Sequence, residues 1–587
     1  MPIEKRWVVK SPGDPKTVKQ LAAGLGISPV LANLLVQRGI ETLEDASRFF
    51  NPRMEELHDP FLMKDMDRAV ARIERAVKNN EKIMVYGDYD VDGTTAVALV
   101  YAFLRRLGHT NLTFYIPDRY TEGYGISIKS IDYAARKNVD LVITLDCGIK
   151  ASEKVLYAAS KGIDYIICDH HLPAEQLPQA VAVLDPKRHD CPYPFKELSG
   201  CGVGFKLVQA YASRNGVPFP EVERLLDLVV VSIAADIVPL TGENRILAYY
   251  GLKRLNEKPG KGLHSIIKIC GLDKHAITID DVVFKIGPRI NAAGRMRVDD
   301  EDGNMGPSGG HAAVNLLIER DESTAEEFGT LIDSFNQDRK SIDRSVTQEA
   351  HRLIESNPEM KNRKSTVIYN PKWMKGIVGI VASRLIETYY RPTVVMTMSN
   401  GFATGSARSV PGFDLYQAVE SCSDLLENFG GHMYAAGLTM RPENIGEFTR
   451  RFNEYVETHI DPQMLIPQVD IDSELLFSDI TLQFRHDLSR FQPFGPGNTA
   501  PVFLTRGVSS HGEVRLVGAE LEHLRMDLMQ REKPNTTLQA IAFQQPTQYE
   551  WVRGGHPIDI CYTIVENHYR GTVTAQLRVK DIKRSMR

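Results

Sequence analysis

The stretch 83–96, IMVYGDYDVDGTTA, constrains this chain more than any other. It opens as an apolar run, Ile83-Met84-Val85-Tyr86, made of residues that suit a buried strand. Asp88, Asp90 and Asp92 follow at every second position, then Gly93, Thr94 and Thr95, then an apolar helical pattern to Leu107. The reading is strand, acidic turn, helix. Alternate carboxylates at a strand end can converge on one point. There they repel one another unless cations sit among them, and carboxylate oxygens suit hard ions such as Mg²⁺ or Mn²⁺. The competing reading is a solvated acidic turn that caps a helix.

The next hundred residues decide between the two. From about 80 to 185, strands at 82–86, 112–116, 140–145, 165–168 and 180–184 alternate with helical patterns at 94–107, 127–137 and 152–161. Such alternation predicts a parallel sheet with helices on both faces, and ligands of such sheets gather beyond the C-terminal strand ends. The polar clusters fall there: Asp88/Asp90/Asp92, Asp118-Arg119, Asp146 and Asp169-His170-His171. A further carboxylate, Asp236, lies deep in the apolar run LLDLVVVSIAADIVPL, where it is costly unless paired or metal-bound. Taken singly, Asp146 reads as a helix N-terminal carboxylate and each His as structural. Clusters at successive strand ends read together as a site.

Residues 1–60 show helical spacing (Leu21, Leu25, Leu31, Leu34, Leu35) and no chemistry, and are set apart as an N-terminal helical segment. Helical patterns return at 220–275, and 310–360 is charged and helical. A second α/β unit starts near 365, with strands at 366–369 and 393–398 around a helix at 377–389, then GSARSV (405–410) and FGGHMYAAG (429–437). After about 465 short strands and turns predict a small all-β, OB-like domain. The divisions are therefore 1–60, 61–250 (catalytic), 251–362 (helical connector), 363–462 (second lobe) and 463–587 (OB-like).

The length, 587 residues, suits several domains. The net charge of −5 argues against a globally basic nucleic-acid coat, so any phosphate contact must use a local patch. The seven cysteines form no C-x-x-C pair, so neither a zinc knuckle nor a disulfide scaffold is indicated. The start, MPIEKRWVVK, carries no apolar signal core and no later run approaches a membrane span, so the expectation is a cytoplasmic protein that makes no membrane contact.

GDYDVDGTTA, TLDCGI, Asp169-His170-His171 and AADIVPL stand in the order of the four motifs of the DHH phosphoesterase superfamily, which the chain resembles. IPDRYTEGYG (116–125), GPRINAAGRM (287–296), WMKGIVGIVASR (373–384), GSARS, FGGHMYAAG and FQPFGPGNTAPVF (491–503) resemble its RecJ branch, the single-stranded-DNA exonucleases. The resemblance implies a two-lobe α/β core joined by a helical connector, a C-terminal OB-like domain, and a centre of two divalent cations, Mn²⁺ or Mg²⁺. It implies that Asp90 and Asp92 ligate different ions, that Asp146 bridges them, and that His170 and Asp236 complete one shell. Asp88 lies in the same motif, Asp169 orients His170, and His171 faces the scissile phosphate. A cation pair activates water and holds both oxygens of an in-line displacement, so no Ser or Cys nucleophile is needed.

Phosphate capture falls to Arg119, Arg289, Arg295 and Arg408, with Asn291, Ser406 and His432 as polar partners, since Arg suits bidentate phosphate contact. Within the resemblance Ser406 and Arg408 anchor the 5′ end. For each Arg the competing reading is a surface ion pair. RecJ-like chains often carry His after the Trp of the W-x-x-G segment, where this chain has Met374. In the last domain Phe491, Phe494 and Phe503 are candidate stacking residues, with core packing the stronger reading, and Arg570, Arg578, Lys580, Lys583 and Arg584 form a candidate basic patch.

The expected activity is 5′→3′ hydrolysis of single-stranded DNA to mononucleotides, in recombination and repair, by a monomer that a helicase and a single-strand-binding protein supply with substrate. The alternatives are a DHH phosphoesterase acting on short oligonucleotides or cyclic dinucleotides, and a non-catalytic single-strand-binding scaffold with a decayed site.

Overall fold

The computed structural model describes residues 4–296, 309–530, 536–569 and 572–585. The chain divides into two compact units, Met54–Leu465 and a second built from Met1–Arg53 with Ile466–Arg587.

The first unit is organised around a sheet of five parallel strands: β1 (Ile83–Gly87), β2 (Leu112–Tyr115), β3 (Leu141–Leu145), β4 (Asp164–Cys168) and β5 (Ala182–Leu184). Their spatial order is β2-β1-β3-β4-β5. β1 and β3 are buried at every position, which is why they read as unbroken apolar runs. One face is covered by α1 (Val91–Arg106) and by helices later in the chain. The other is covered by α2 (Ile128–Arg136) and α3 (Ser152–Ser160). In this strand order the chain reverses direction between β1 and β3, and a crevice opens there at the C-terminal ends. Asp88, Asp90 and Asp92 follow β1, and Asp146 follows β3.

α4 (Gly200–Arg214) and α5 (Leu226–Ala235) pack on α1 and close the crevice from the side. The sequence reading begins a connector at 251. In the structure the helices up to Ile318 bury Leu255, Leu263, Ile266, Ile290, Val314 and Leu317 in the same core as the catalytic sheet. Among the described residues α6 (Glu322–Glu355) carries the chain to the second lobe. Its 34 residues span about 50 Å at 1.5 Å per residue.

The second lobe carries a mixed sheet of β6 (Thr366–Tyr369), β7 (Thr393–Ser399), β8 (Phe402–Arg408), β9 (Leu426–His432) and β10 (Ala435–Met440), in the order β9-β10-β8-β7-β6. The GSARS and FGGHMYAAG stretches are thus strands, with Ser406 paired to Gly437 and Gly437 to Gly430. Between β6 and β7 runs α7 (Lys375–Tyr389).

In the other unit, the strand Phe503–Val517 pairs with both His523–Gln530 and Ile558–Tyr569. Thr537–Ala542 and Thr572–Arg584 complete a closed barrel of five strands. The N-terminal residues, which the sequence reading sets apart, belong to this unit. Arg6–Val9 pairs in parallel with Gln468–Ile471, and Leu21, Leu31, Leu34, Leu35 and Phe50 share one core with Phe491 and Phe503. Phe491 and Phe503 are fully buried, so neither stacks on a ligand, and Phe494 packs partly buried against them. Lys583 lies over Trp7 and Arg584 over Trp551, while Arg570 lies outside the described residues. Among the described residues no helix is long and apolar enough to cross a membrane.

Candidate metal centre

Asp90 caps α1, its Oδ1 accepting the Gly93 N–H at 3.0 Å, so the capping role and a site role fall on one residue. Gly93 is required by close approach: a Cβ there would stand 2.4 Å from the Asp88 carbonyl oxygen. Asp92, the second residue of the helix, is gripped by the start of α4. The Gly200 and Cys201 N–H groups donate to its two oxygens at 2.6 and 2.7 Å, and the Ser232 hydroxyl donates at 2.7 Å. Asp146 leaves β3 with φ +60°, and Ile237, just after Asp236, has the same φ. A β-branched residue in that region is an outlier, and such strain persists where surrounding structure over-determines it.

These groups converge. His170 Nε2 lies 3.1 Å from Asp146 Oδ1 and 3.7 Å from both Asp92 Oδ2 and Asp236 Oδ2. Among the described residues, donor atoms of Asp92, His170 and Asp236 lie within 4.8 Å of one another, and so do those of Asp88, Asp90 and Asp146. A third grouping, Asp146 with His170 and His171, adds no separate centre, because His171 Nδ1 is held by Asp169 at 2.7 Å.

Asp169 does not orient the His170 ring, contrary to the expectation from the motif. Its oxygens accept from the Ile149, His170 and His171 N–H groups and from His171 Nδ1. The His170 ring is instead fixed by its Nδ1 donating to the Leu198 carbonyl at 3.1 Å, which leaves Nε2 as a lone pair facing the carboxylates. The Tyr124 hydroxyl sits between the Asp146 carbonyl (3.1 Å) and His171 (3.2 Å).

The electrostatics call for cations. Burial, then the charges of Asp92 and Asp90, push the Asp146 carboxyl far above the usual carboxylate range. Burial and Asp90 do the same to Asp88, burial and Asp92 raise Asp90, and Asp236 rises to about 9 by burial and then Asp92. Burial lowers His170. For His171 the burial penalty is outweighed by the hydrogen bond and charge of Asp169, and its pKa rises. Asp88 Oδ1 is buried without a hydrogen-bond partner. Hard oxygen donors, one imidazole nitrogen and an orphaned carboxylate oxygen fit divalent cations that prefer oxygen and nitrogen.

Beside Asp90 stands a cluster of arginines. Arg119 lies over the Tyr89 ring at 3.8 Å and donates to the Gly294 carbonyl. Arg295 donates to the Gly376 carbonyl at 2.9 Å, and its pKa falls to about 9 through burial and then through Arg119, Arg339 and Arg408. Arg408 donates to Ser406 Oγ at 2.9 Å, and both lie within 3.3 Å of where a Cβ on Gly379, the fifth residue of α7, would stand. The N-cap of α7 is Met374, which offers no side-chain acceptor; the Ile377 N–H bonds the Met374 carbonyl at 3.0 Å, and the Lys375 and Gly376 N–H groups have no acceptor within the helix. Arg119, Arg295, Ser406 and Arg408 therefore surround one helix N-terminus. Arg289 is elsewhere, ion-paired with Asp333 at 2.8 Å, and Asn291 keeps its Oδ1 buried and unpartnered. His432 is exposed at the end of β9, accepting the Tyr434 N–H. Sequence reasoning missed Arg339, which lies in the charged helical stretch read as a connector, and Tyr124, an aromatic in a glycine-rich turn.

Residues 82–233 match the DHH family, N-terminal domain, residues 362–458 the DHHA1 domain, and residues 471–581 the RecJ OB domain. The single-stranded-DNA-specific exonuclease RecJ of Bacillus subtilis is 36% identical over 578 residues, covering 98% of this chain and 70% of that protein. The RecJ of Salmonella typhimurium is 32% identical, covering 95% of this chain and 96% of its own. The chain belongs to the RecJ family. Its fold agrees: RecJ of Thermus thermophilus in complex with Mn²⁺ superposes with a TM-score of 0.82 at 26% identity, covering 99% of this chain and 80% of that one. The same protein with Mg²⁺ gives 0.76.

Proposed function

We propose that this RecJ-family chain is a metal-dependent exonuclease that hydrolyses single-stranded DNA from the 5′ end to mononucleotides. The observation that carries the reading is the position of Asp146, which joins the Asp88–Asp90 pair on one side and meets His170 on the other. Asp92, His170 and Asp236 would hold one cation, Asp88 and Asp90 a second, and Asp146 both. Bound there, Mn²⁺ or Mg²⁺ supplies Lewis-acid polarisation of the phosphate and of an attacking water.

The chain's own residues do the rest. The Leu198 carbonyl and the start of α4 keep His170 and Asp92 in one geometry. His171, held through Nδ1 by Asp169 and 45% exposed, offers its outer ring nitrogen to a phosphate at the centre. Arg119, Arg295, Arg408, Ser406 and the open first turn of α7 take the phosphate at the 5′ end, with Arg339 adding positive field. A clamped terminal phosphate beside the metal centre makes release proceed one nucleotide at a time. The protein works as a cytoplasmic monomer in recombination and repair, on strands exposed by a helicase and covered by a single-strand-binding protein.

The test is degradation of a long single strand with Mn²⁺, comparing a 5′ label with a 3′ label, with Asp146→Ala alongside. Immediate release of the 5′-labelled mononucleotide by wild type and its absence in the variant are expected. Survival of long strands while dinucleotides are cut would replace this reading with a short-oligonucleotide phosphoesterase, and binding without release would replace it with a scaffold.

A further inference from the structure

The metal centre lies along the C-terminal edge of the catalytic sheet, and the two sides of that edge differ. On the α1 side, Arg119 rests on Tyr89 and Gly294, and Arg295 follows a helix whose Ile290 is buried in the core beneath α1. On the α2–α3 side, a groove of about 470 Å³ opens between 124–126 and 148–154 and ends at Asp169 and His171. Its apolar floor, Ile126 and Ile149, belongs to the core under α2 and α3. A strand laid from the arginines across the carboxylates runs out into this groove.

We propose that the groove carries the nucleotides immediately 3′ of the scissile phosphate. The inference rests on the 5′-end exonuclease reading above, which puts the terminal phosphate on the arginine side. Three features favour this occupant. The groove is continuous with the centre through His171, whose Nδ1 is bonded to Asp169. Lys150 and Lys154 stand along it four residues apart, and neither makes an ion pair among the described residues. Tyr124 is 52% exposed at the mouth with its hydroxyl fixed by the Asp146 carbonyl and His171, so its ring presents a rigid face to a base. Unpaired cations for phosphates and a fixed aromatic for a base are the combination that single strands use, and it is tolerant of sequence. The acidic residues of the lining are Glu153 and Asp169, and Asp169, at the inner end, is already taken up by the Ile149, His170 and His171 N–H groups.

The test uses the full chain with Mn²⁺ and two substrates, a 5′-phosphorylated dinucleotide and a 20-nucleotide single strand, with kcat/KM followed against salt. The dinucleotide has no phosphate beyond the scissile one, so it does not reach the lysines. For Lys150→Ala/Lys154→Ala the expected result on the long strand is a loss on the order of tenfold through KM. The salt dependence should become shallower by about 1.4 in log–log slope, two contacts at ~0.7 each. The dinucleotide should be turned over as by wild type, and Lys150→Arg/Lys154→Arg should restore the long-strand slope. An unchanged long-strand slope overturns the proposal. Equal loss on both substrates also overturns it, since the groove would then hold the terminal nucleotide. Failure of wild type to release nucleotides from either substrate would instead overturn the exonuclease reading itself.

Discussion

Gly200→Ala perturbs the centre while leaving every proposed ligand in place. A Cβ built on Gly200 would lie 2.6 Å from Asp146 Cβ, 2.9 Å from its Cα and 3.0 Å from its Cγ. Carbon atoms pack at about 3.5–4.0 Å, so the substitution must drive α4 and Asp146 apart by about 1 Å. The neighbour is backbone as well as side chain, so no rotamer change relieves it. The same movement stretches the 2.6 Å hydrogen bond from the Gly200 N–H to Asp92. A displacement of about 1 Å in reacting geometry costs on the order of 10²-fold in rate, about 2.7 kcal/mol of barrier. Overpacking adds a stability loss of about 1–3 kcal/mol. The assay is 5′-label release with Mn²⁺, read beside a thermal melt. Gly202→Ala is the control: its Cβ would stand 3.3 Å or more from its neighbours, Ser199 and Leu198, and should leave the rate within a few-fold. A Gly200→Ala enzyme working at more than a third of the wild-type rate, still folded, would refute the reasoning.

Arg408→Gln or Arg295→Gln should erase the preference for a 5′-phosphorylated strand over a 5′-hydroxyl one, raising KM for the former about tenfold or more, as loss of a charge-assisted hydrogen bond does. An unchanged ratio of the two KM values would remove these arginines from the terminal phosphate. Lys206 is fully buried, its Nζ donating to Glu243 at 3.0 Å and to the His58 carbonyl at 2.7 Å. Lys206→Met leaves Glu243 buried with only neutral donors and should cost about 3–5 kcal/mol in denaturant unfolding of this unit. His311 packs against Phe114 and Tyr115, and burial pushes its pKa down to about 4 from 6.5. Between those values the unfolded chain takes up a proton that the folded chain refuses. Stability is therefore lost as pH falls from about 6.5 towards 4, by up to roughly 3 kcal/mol. His311→Phe should flatten that limb of a Tm–pH profile, and an unaltered limb would assign the acid sensitivity to other groups.

The centre was legible because parallel sheets leave a strong trace in sequence. Fully buried strands read as apolar runs, and whatever stands just past them must lie at one edge. Given the β2-β1-β3 order, Asp88, Asp90, Asp92 and Asp146 meet without any further information. What the residues do not announce are partners that enter through the backbone or from far along the chain. Leu198 holds His170 by its carbonyl, a group that every residue has, so the motif's own aspartate looked like the natural partner. Asp169, already adjacent to both histidines, can reach Nδ1 of His171 and the His170 N–H but not the far face of the His170 ring, which is turned to the carboxylates. Arg289 and Arg295 sit in one motif, yet one meets Asp333 on α6 and the other meets Arg119, Arg339 and Arg408. The difference is that Arg289 lies within the helix Gly287–Ala293, whereas Arg295 stands beyond its C-terminal end. The N-terminal residues are the extreme case: Arg6 pairs with Gln468, far along the chain, and Phe49 and Phe50 pack edge-on against Phe491. Local periodicity finds the helices but is blind to the barrel they cover. Function at this centre therefore depends on two kinds of residue. The ligands are written as a motif, and the groups that aim them, Gly200, Leu198, Ser232 and Tyr124, are specified only by the fold.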